Sequence, residues 1–198
     1  MKINELKGVK NHPLYLAFKN SSNMNQLKRN IGELGWDDME RHLIGSGGYS
    51  DVFYRPGDPY VIKLIRDGDT SYLAFVDYAI ANHGNPYLPK IYRKPISITR
   101  NPGSVAAAKW TFVRIERLEP VSLGLSKASH LVTAINKWVG GFSHFNNSHF
   151  TSVENRYPGL METCQEIGQL VTDDITLDIH SGNIMMRGGI PVITDPLC

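Results

Sequence analysis

The segment Leu177–Pro196, LDIHSGNIMMRGGIPVITDP, restricts what this chain can fold into more than any other stretch. Two short apolar runs, Ile184–Met186 and Val192–Thr194, flank Arg187-Gly-Gly189. Paired glycines accept the positive φ angles of a tight hairpin turn, so the second run is predicted to fold back beside the first. That pairing brings Asp195 next to Asn183. With Asp178 five residues before Asn183, the block gathers groups that phosphoryl transfer can use. One aspartate orients or deprotonates an incoming hydroxyl, while the Asn and the second Asp offer hard oxygen ligands to Mg²⁺. The plain alternative is a hairpin with polar residues on its surface.

A second glycine-punctuated stretch lies upstream, Gly45-Ser46-Gly47-Gly48-Tyr49-Ser50-Asp51-Val52. Glycines between two strands let backbone N–H groups approach phosphate oxygens, and Val52 would cover an adenine ring. Alone, such a loop reads as a β-turn. Here the next strand carries Lys63, flanked by Val61, Ile62, Leu64 and Ile65, whose ammonium either snorkels to solvent or serves a phosphate. The segment Phe112–Glu119, FVRIERLE, has the form of a strand entering a hinge. Backbone groups near Glu116 and Leu118 would meet an adenine edge there, with Ile115 behind it.

The expected organisation is α+β. Residues 1–40 read as one or two short helices leading into the domain, with Leu14, Leu16, Phe18, Leu27, Ile31 and Leu34 at loosely helical spacing. A strand-rich section over 41–118 follows, with strands near 43–48, 51–54, 60–65, 91–99 and 107–117. It holds one helix, capped by Asp69 or Thr70, running to about His83 and stopped at Gly84-Asn85-Pro86. Residues 119–198 read as mainly helical, at 127–139 and 154–171, before the terminal hairpin; 140–158 reads as a loop.

Bulk properties exclude several classes. Twenty-one Lys and Arg against nineteen Asp and Glu give a net charge of +2, too even to argue for nucleic-acid binding. No apolar run is long enough to cross a bilayer, and Met1-Lys-Ile-Asn lacks a signal-peptide stretch. Two cysteines, Cys164 and Cys198, make a disulfide framework unexpected and a reducing cytoplasm the default.

A Gly-loop hairpin, a strand lysine and a downstream Asp…Asn…Asp stand in the order of the protein-kinase signature set. On those residues the chain resembles the protein-kinase-like superfamily, in its atypical, aminoglycoside-phosphotransferase-like branch, where a His lies two residues after the catalytic Asp. The terminal block is similar to that of the early serine/threonine kinases of short-tailed lytic bacteriophages. The likeness is dense over Leu177–Pro196 and looser from the Gly loop through the hinge. It implies a two-lobed kinase-like fold with a β-rich N-lobe and a minimal, truncated helical C-lobe. It also implies an enzyme of the infected bacterial cytoplasm that transfers the ATP γ-phosphate to Ser or Thr of host proteins. By position, Asp178 is then the catalytic aspartate, Asn183 and Asp195 the metal ligands and Lys63 the phosphate-binding lysine. Gly45–Ser50 and Val52 would lie against ATP.

The chain departs from the ordinary kinase pattern in four ways. Ser50 stands for the third loop glycine. The helix over 70–83 has no Glu to pair with Lys63, and Asp77 is its shorter stand-in, with a solvated Asp77 as the alternative. Thr176 and Leu177 replace the usual His and Arg before the catalytic Asp, which argues against control through an activation-loop phosphate. Only Pro196, Leu197 and Cys198 follow Asp195. Two rival readings stay open: a small-molecule phosphotransferase, and a pseudokinase-like protein that occupies a host partner without catalysis. Among the remaining polar residues, His180 is expected to support its loop through hydrogen bonds. His144 and His149 read as surface-loop residues rather than a metal site. Ser46, Tyr49 and Ser50 are exposed hydroxyls whose self-phosphorylation would repel ATP.

Overall fold

A computed structural model describes residues 16–17, 20–22, 24–32, 43–54, 56–66, 69–100, 108–121, 125–142 and 148–198. The protein is α+β. The chain divides into two compact units, Met1–Gly68 with Tyr92–Ile115, and Asp69–Ile91 with Glu116–Cys198.

The first unit is built on a five-stranded sheet. Its strands are β1 (Leu43–Ser46), β2 (Ser50–Tyr54), β3 (Tyr60–Ile65), β4 (Ile96–Arg100) and β5 (Ala108–Glu116), in the order β1-β2-β3-β5-β4. The pairs β1–β2, β2–β3 and β4–β5 are antiparallel. Alternation along a strand sends neighbouring side chains to opposite faces. Phe53, Ile62, Leu64 and Phe112 therefore share one face, where they form a core with Ala17 and Leu27. Leu27 belongs to α1 (Met24–Gly32), whose first turn is fixed by the Gln26 side chain accepting from Ser22 N–H at 2.8 Å. The segment before the glycine loop thus supplies apolar cover for one sheet face. Leu14, Phe18 and Leu34 lie outside the described residues.

Among its described residues the second unit holds four α-helices and a small sheet: α2 (Thr70–Ala81), α3 (Leu125–Val139), α4 (Ser148–Arg156) and α5 (Leu160–Gly168), with β6 (Glu119–Pro120), β7 (Ile184–Arg187) and β8 (Ile190–Ile193). Asp69 caps α2, its carboxylate accepting from Tyr72 N–H at 3.0 Å. Tyr72, Phe75, Val76 and Ala79 form the buried stripe of that helix. Burying each large apolar side chain stabilises by roughly 1.5–3 kcal/mol. Side-chain bonds tie this region to α5: Tyr78 Oη donates to Glu166 at 2.6 Å and Asn85 Nδ2 to Thr163 Oγ1 at 2.9 Å. The helix between β3 and β4 in sequence is accordingly part of the second unit.

Three sequence expectations change. The stretch expected to loop over 140–158 contains α4, whose Val153 is buried. The helix expected over 154–171 is broken at Pro158-Gly159, where Gly159 has φ +88°, and resumes as α5. The strand expected over 91–99 is confined to Ile96–Arg100, beginning just after Pro95. Where α5 ends, a Cβ on Gly168 would collide with the Val139 carbonyl oxygen at the end of α3, so only glycine permits that approach. Among the described residues no helix is long and apolar enough to cross a membrane.

Candidate functional site

In the first unit, strand register gathers the predicted phosphate-facing residues. Gly45 opposes Val52 across β1–β2, and Val52 opposes Lys63 across β2–β3. Directly opposed residues project to the same face, so Gly45, Val52 and Lys63 form one row. That face is the reverse of the Phe53–Ile62–Leu64–Phe112 core. By alternation from Phe112, Ile115 belongs to it as well. Lys63 is buried and Val52 half-buried.

The tip of the glycine hairpin is held by a side-chain staple of Ser46, Asp51 and Arg66. Asp51 is buried; its Oδ1 accepts from Ser46 Oγ at 2.7 Å and its Oδ2 from Arg66 Nη2 at 2.6 Å. Backbone bonds from Gly47 N–H to Ser50 O (2.8 Å) and from Arg66 N–H to Tyr49 O (2.7 Å) close the turn. Ser46 is therefore engaged rather than free in the loop. Tyr49 projects outward at 62% exposure, and Gly48 is exposed beside it.

In the second unit the terminal block folds as its spacing requires. Gly188 and Gly189 take φ +54° and +87°, and β7 and β8 pair with Ile184 opposite Ile193. The pairing runs on by one step: Asn183 O accepts from Thr194 N–H at 2.9 Å and from Thr194 Oγ1 at 3.0 Å. Asp195 is the next residue. On the other side Asp178 N–H donates to Pro196 O at 2.9 Å, and Thr176 and Cys198 exchange backbone bonds. Asp178 and Asp195 thus leave one small backbone-locked ladder.

The Asn183 side chain closes this arrangement. Nδ2 donates to Asp178 O at 2.6 Å and to Asp178 Oδ2 at 3.2 Å. The amide nitrogen is spent on Asp178, and Oδ1 remains as an acceptor. Asp178 is half-exposed, with side-chain exposure of 48%. His180 caps the 3₁₀ turn Ser181–Asn183, its Nδ1 accepting from Gly182 N–H at 3.0 Å. The expected loop-supporting bond of His180 is present.

Sequence reasoning missed one neighbour of Asp195. Tyr72 is fully buried, and its phenol is pushed well above its ordinary pKa by burial first, then by Asp195 and Asp69. A tyrosine in an apolar helical stripe carries no signal of such a role.

At the expected hinge, Glu116 is more committed than its sequence setting suggests. Its N–H donates to Lys90 O at 2.9 Å. Its carboxylate, also buried, takes Arg187 Nε at 2.8 Å and Arg187 Nη2. Ile115 is buried and Leu118 half-buried. Asp77 lies exposed on α2. His144 lies outside the described residues, and His149 stacks on His130 with ring centroids 4.1 Å apart.

No protein-family model matches the chain, and no curated protein matches it significantly.

A divalent cation fits the donor set of the terminal block. Asn183 Oδ1 and the Asp195 carboxylate are hard oxygen donors at the open end of one hairpin, and Mg²⁺ characteristically combines one or two such groups with water and phosphate oxygens. Among the described residues no group of three or more His, Cys, Asp or Glu gathers that would form an all-protein cage.

Proposed function

We propose that the chain is a Mg-ATP-dependent serine/threonine protein kinase with a two-lobed, kinase-like architecture and a small C-lobe. We further propose that it is an early bacteriophage protein acting on host bacterial proteins in the infected cytoplasm. The observation that carries the catalytic reading is the bonding of Asn183. Its amide nitrogen holds Asp178, and its backbone oxygen holds the residue before Asp195. The row Gly45–Val52–Lys63 on one sheet face supports it from the first unit.

In this reading Lys63 and the N–H groups of the glycine loop hold the ATP phosphates. Val52 and Ile115 line the adenine, whose edge meets backbone groups near Glu116 and Leu118. Mg²⁺, held by Asn183 and Asp195, would neutralise phosphate charge when bound. A Ser or Thr hydroxyl oxygen bonds to the γ-phosphorus, and the bond from that phosphorus to the β–γ bridging oxygen breaks. ADP departs, and the hydroxyl proton passes to the Asp178 carboxylate. Catalysis of this kind is mainly positioning and charge stabilisation.

A second reading, a pseudokinase-like binding protein, is favoured by the sequence of α2, Thr70–Ala81, which holds no Glu. Incubation with radiolabelled ATP, Mg²⁺ and a bacterial lysate separates the readings. Labelled protein bands that vanish with Asp178→Ala support the kinase; the expected loss is at least about a hundred-fold, the scale of removing a proton acceptor. Label confined to small molecules points to a small-molecule phosphotransferase, and no transfer points to the pseudokinase. Undiminished transfer by Asp178→Ala overturns the mechanism.

A further inference from the structure

We infer that His180 is a positioning residue that fixes the orientation of the Asp178 carboxylate, an inference that rests on Asp178 being the proton acceptor proposed above. The 3₁₀ turn Ser181–Asn183 needs an acceptor for the Gly182 N–H, and His180 Nδ1 provides it at 3.0 Å. A nitrogen accepting that bond carries no proton, so the neutral ring has its proton on Nε2. Nε2 lies 3.7 Å from Asp178 Oδ2. The same oxygen accepts from Asn183 Nδ2 at 3.2 Å. Two donors from opposite ends of the turn therefore converge on Oδ2, which leaves Oδ1 to face an incoming hydroxyl.

The residue type supports this division of labour. Ser, Thr, Asp or Asn would cap a short helical turn at least as well as histidine. What imidazole adds is reach: one nitrogen caps the turn while the other comes back to Asp178. The seat of the ring is shaped for it. A Cβ on Gly182 would lie 2.8 Å from His180 Cε1 and 3.1 Å from Nδ1, so any larger residue there displaces the ring. His180 and Asp178 are both about half exposed, with side-chain exposures of 57% and 48%. An exposed pair of this kind adds little to folding stability. Its consequence is for geometry, and at 3.7 Å the contact needs only a small closure to become a hydrogen bond, as catalytic contacts commonly do when substrate binds.

Two substitutions split the roles. His180→Asn keeps an acceptor near the Nδ1 position but nothing that reaches Asp178, whereas His180→Gln places an amide donor near the Nε2 position. Transfer to lysate protein is measured for both, with kcat and the KM for ATP. The expected result is that His180→Asn lowers kcat about five-fold, the scale of one ordinary hydrogen bond. His180→Gln should stay closer to the wild-type value, with KM for ATP unchanged in both. A His180→Asn protein as fast as or faster than His180→Gln overturns the inference, because capping alone would then suffice. Nitrogen-15 NMR of the wild-type imidazole supplies a readout independent of turnover. A protonated Nε2 with a bare Nδ1 supports the inference, and the opposite tautomer overturns it. Undiminished transfer by Asp178→Ala instead marks failure of the kinase mechanism itself, whatever the tautomer.

Discussion

Each unit holds a well-packed arginine, Arg187 partly exposed and Arg114 buried, and they are satisfied in opposite ways. Arg187, in the second unit, spends its guanidinium on hydrogen bonds. Nε and Nη2 go to Glu116 Oε1, Nη1 to Pro86 O at 2.8 Å, and Nη2 also to Leu88 O at 2.8 Å. Arg114, in the first unit, is 6% exposed and has no hydrogen-bond partner for Nε or Nη2. It lies instead between aromatic faces, 5.6 Å from the Tyr60 centroid and 5.8 Å from that of Phe112. A guanidinium can be held by directed donors or by ring quadrupoles, and the two differ in what removal costs. Taking away a bonded charge strands its partners; taking away a stacked one strands nothing polar.

The largest effect should come from Arg187→Met. It leaves the buried Glu116 carboxylate unpaired and two backbone carbonyls without a donor. Breaking one side of such a pair costs about 3 kcal/mol or more, and the chemical-denaturation midpoint should fall with the slope unchanged. Glu116→Gln keeps an acceptor for Arg187 and should cost about half as much, near 1.5 kcal/mol. If Arg187→Met proves neutral, the bonded arginine is no more valuable than the stacked one and the comparison collapses.

Alkaline pH sharpens the contrast between the units. In the second unit burial, aided by Glu166, pushes the Tyr78 phenol far up, and burial raises Tyr87 and the Cys164 thiol. Tyr72 moves the same way. An acid whose folded-state pKa is raised holds its proton more tightly when folded. Its contribution is whole below the unfolded value, about 9 for a thiol and 10 for a phenol, and is lost as pH climbs toward the folded value. Arg114 has the opposite sign: burial lowers its pKa, so its charged form weakens the fold, and the penalty eases only at the alkaline extreme. Stability should therefore fall as pH rises above about 9, with fluorescence or exchange probes in the second unit responding first. Tyr78→Phe should flatten that slope; an unchanged slope would count against Tyr78 as a source.

How far the sequence could foresee these features depends on the distance over which each is decided. The terminal hairpin was legible because Gly188-Gly189 between apolar runs is local chemistry, and the Asn183–Thr194 step follows from its register. The cap at Asp69 was legible for the same reason. Helix α4 was not, because its polar, Asn-rich surroundings read as loop and its buried Val153 gives little periodic signal. Neither arginine announced itself. Arg187 read only as part of a turn, while its partners Glu116, Pro86 and Leu88 lie 71, 101 and 99 residues away in the chain. Arg114 read as one residue of a strand entering a hinge. The Asp51–Ser46–Arg66 staple was hidden likewise, since an Asp in a glycine loop suggests a solvated turn rather than a buried acceptor.

The most discriminating change is Arg114→Met. Methionine keeps an unbranched, flexible stem that can occupy the slot between Tyr60 and Phe112. It gives up two cation–π contacts, each worth about 0.5–2 kcal/mol. It also removes a buried charge with two nitrogens lacking hydrogen bonds, each costing about 1–3 kcal/mol when left unsatisfied. The second sum is the larger, so Arg114→Met should stabilise the protein by roughly 1–2 kcal/mol. Tyr60→Leu in the wild-type background should then cost more than in the Arg114→Met background, because the ring supports a charge only where one is present. A double-mutant cycle on Tyr60 and Arg114 measures that difference directly. A coupling near zero would mean that the rings do not hold the guanidinium, and the contrast with Arg187 would reduce to one of burial alone.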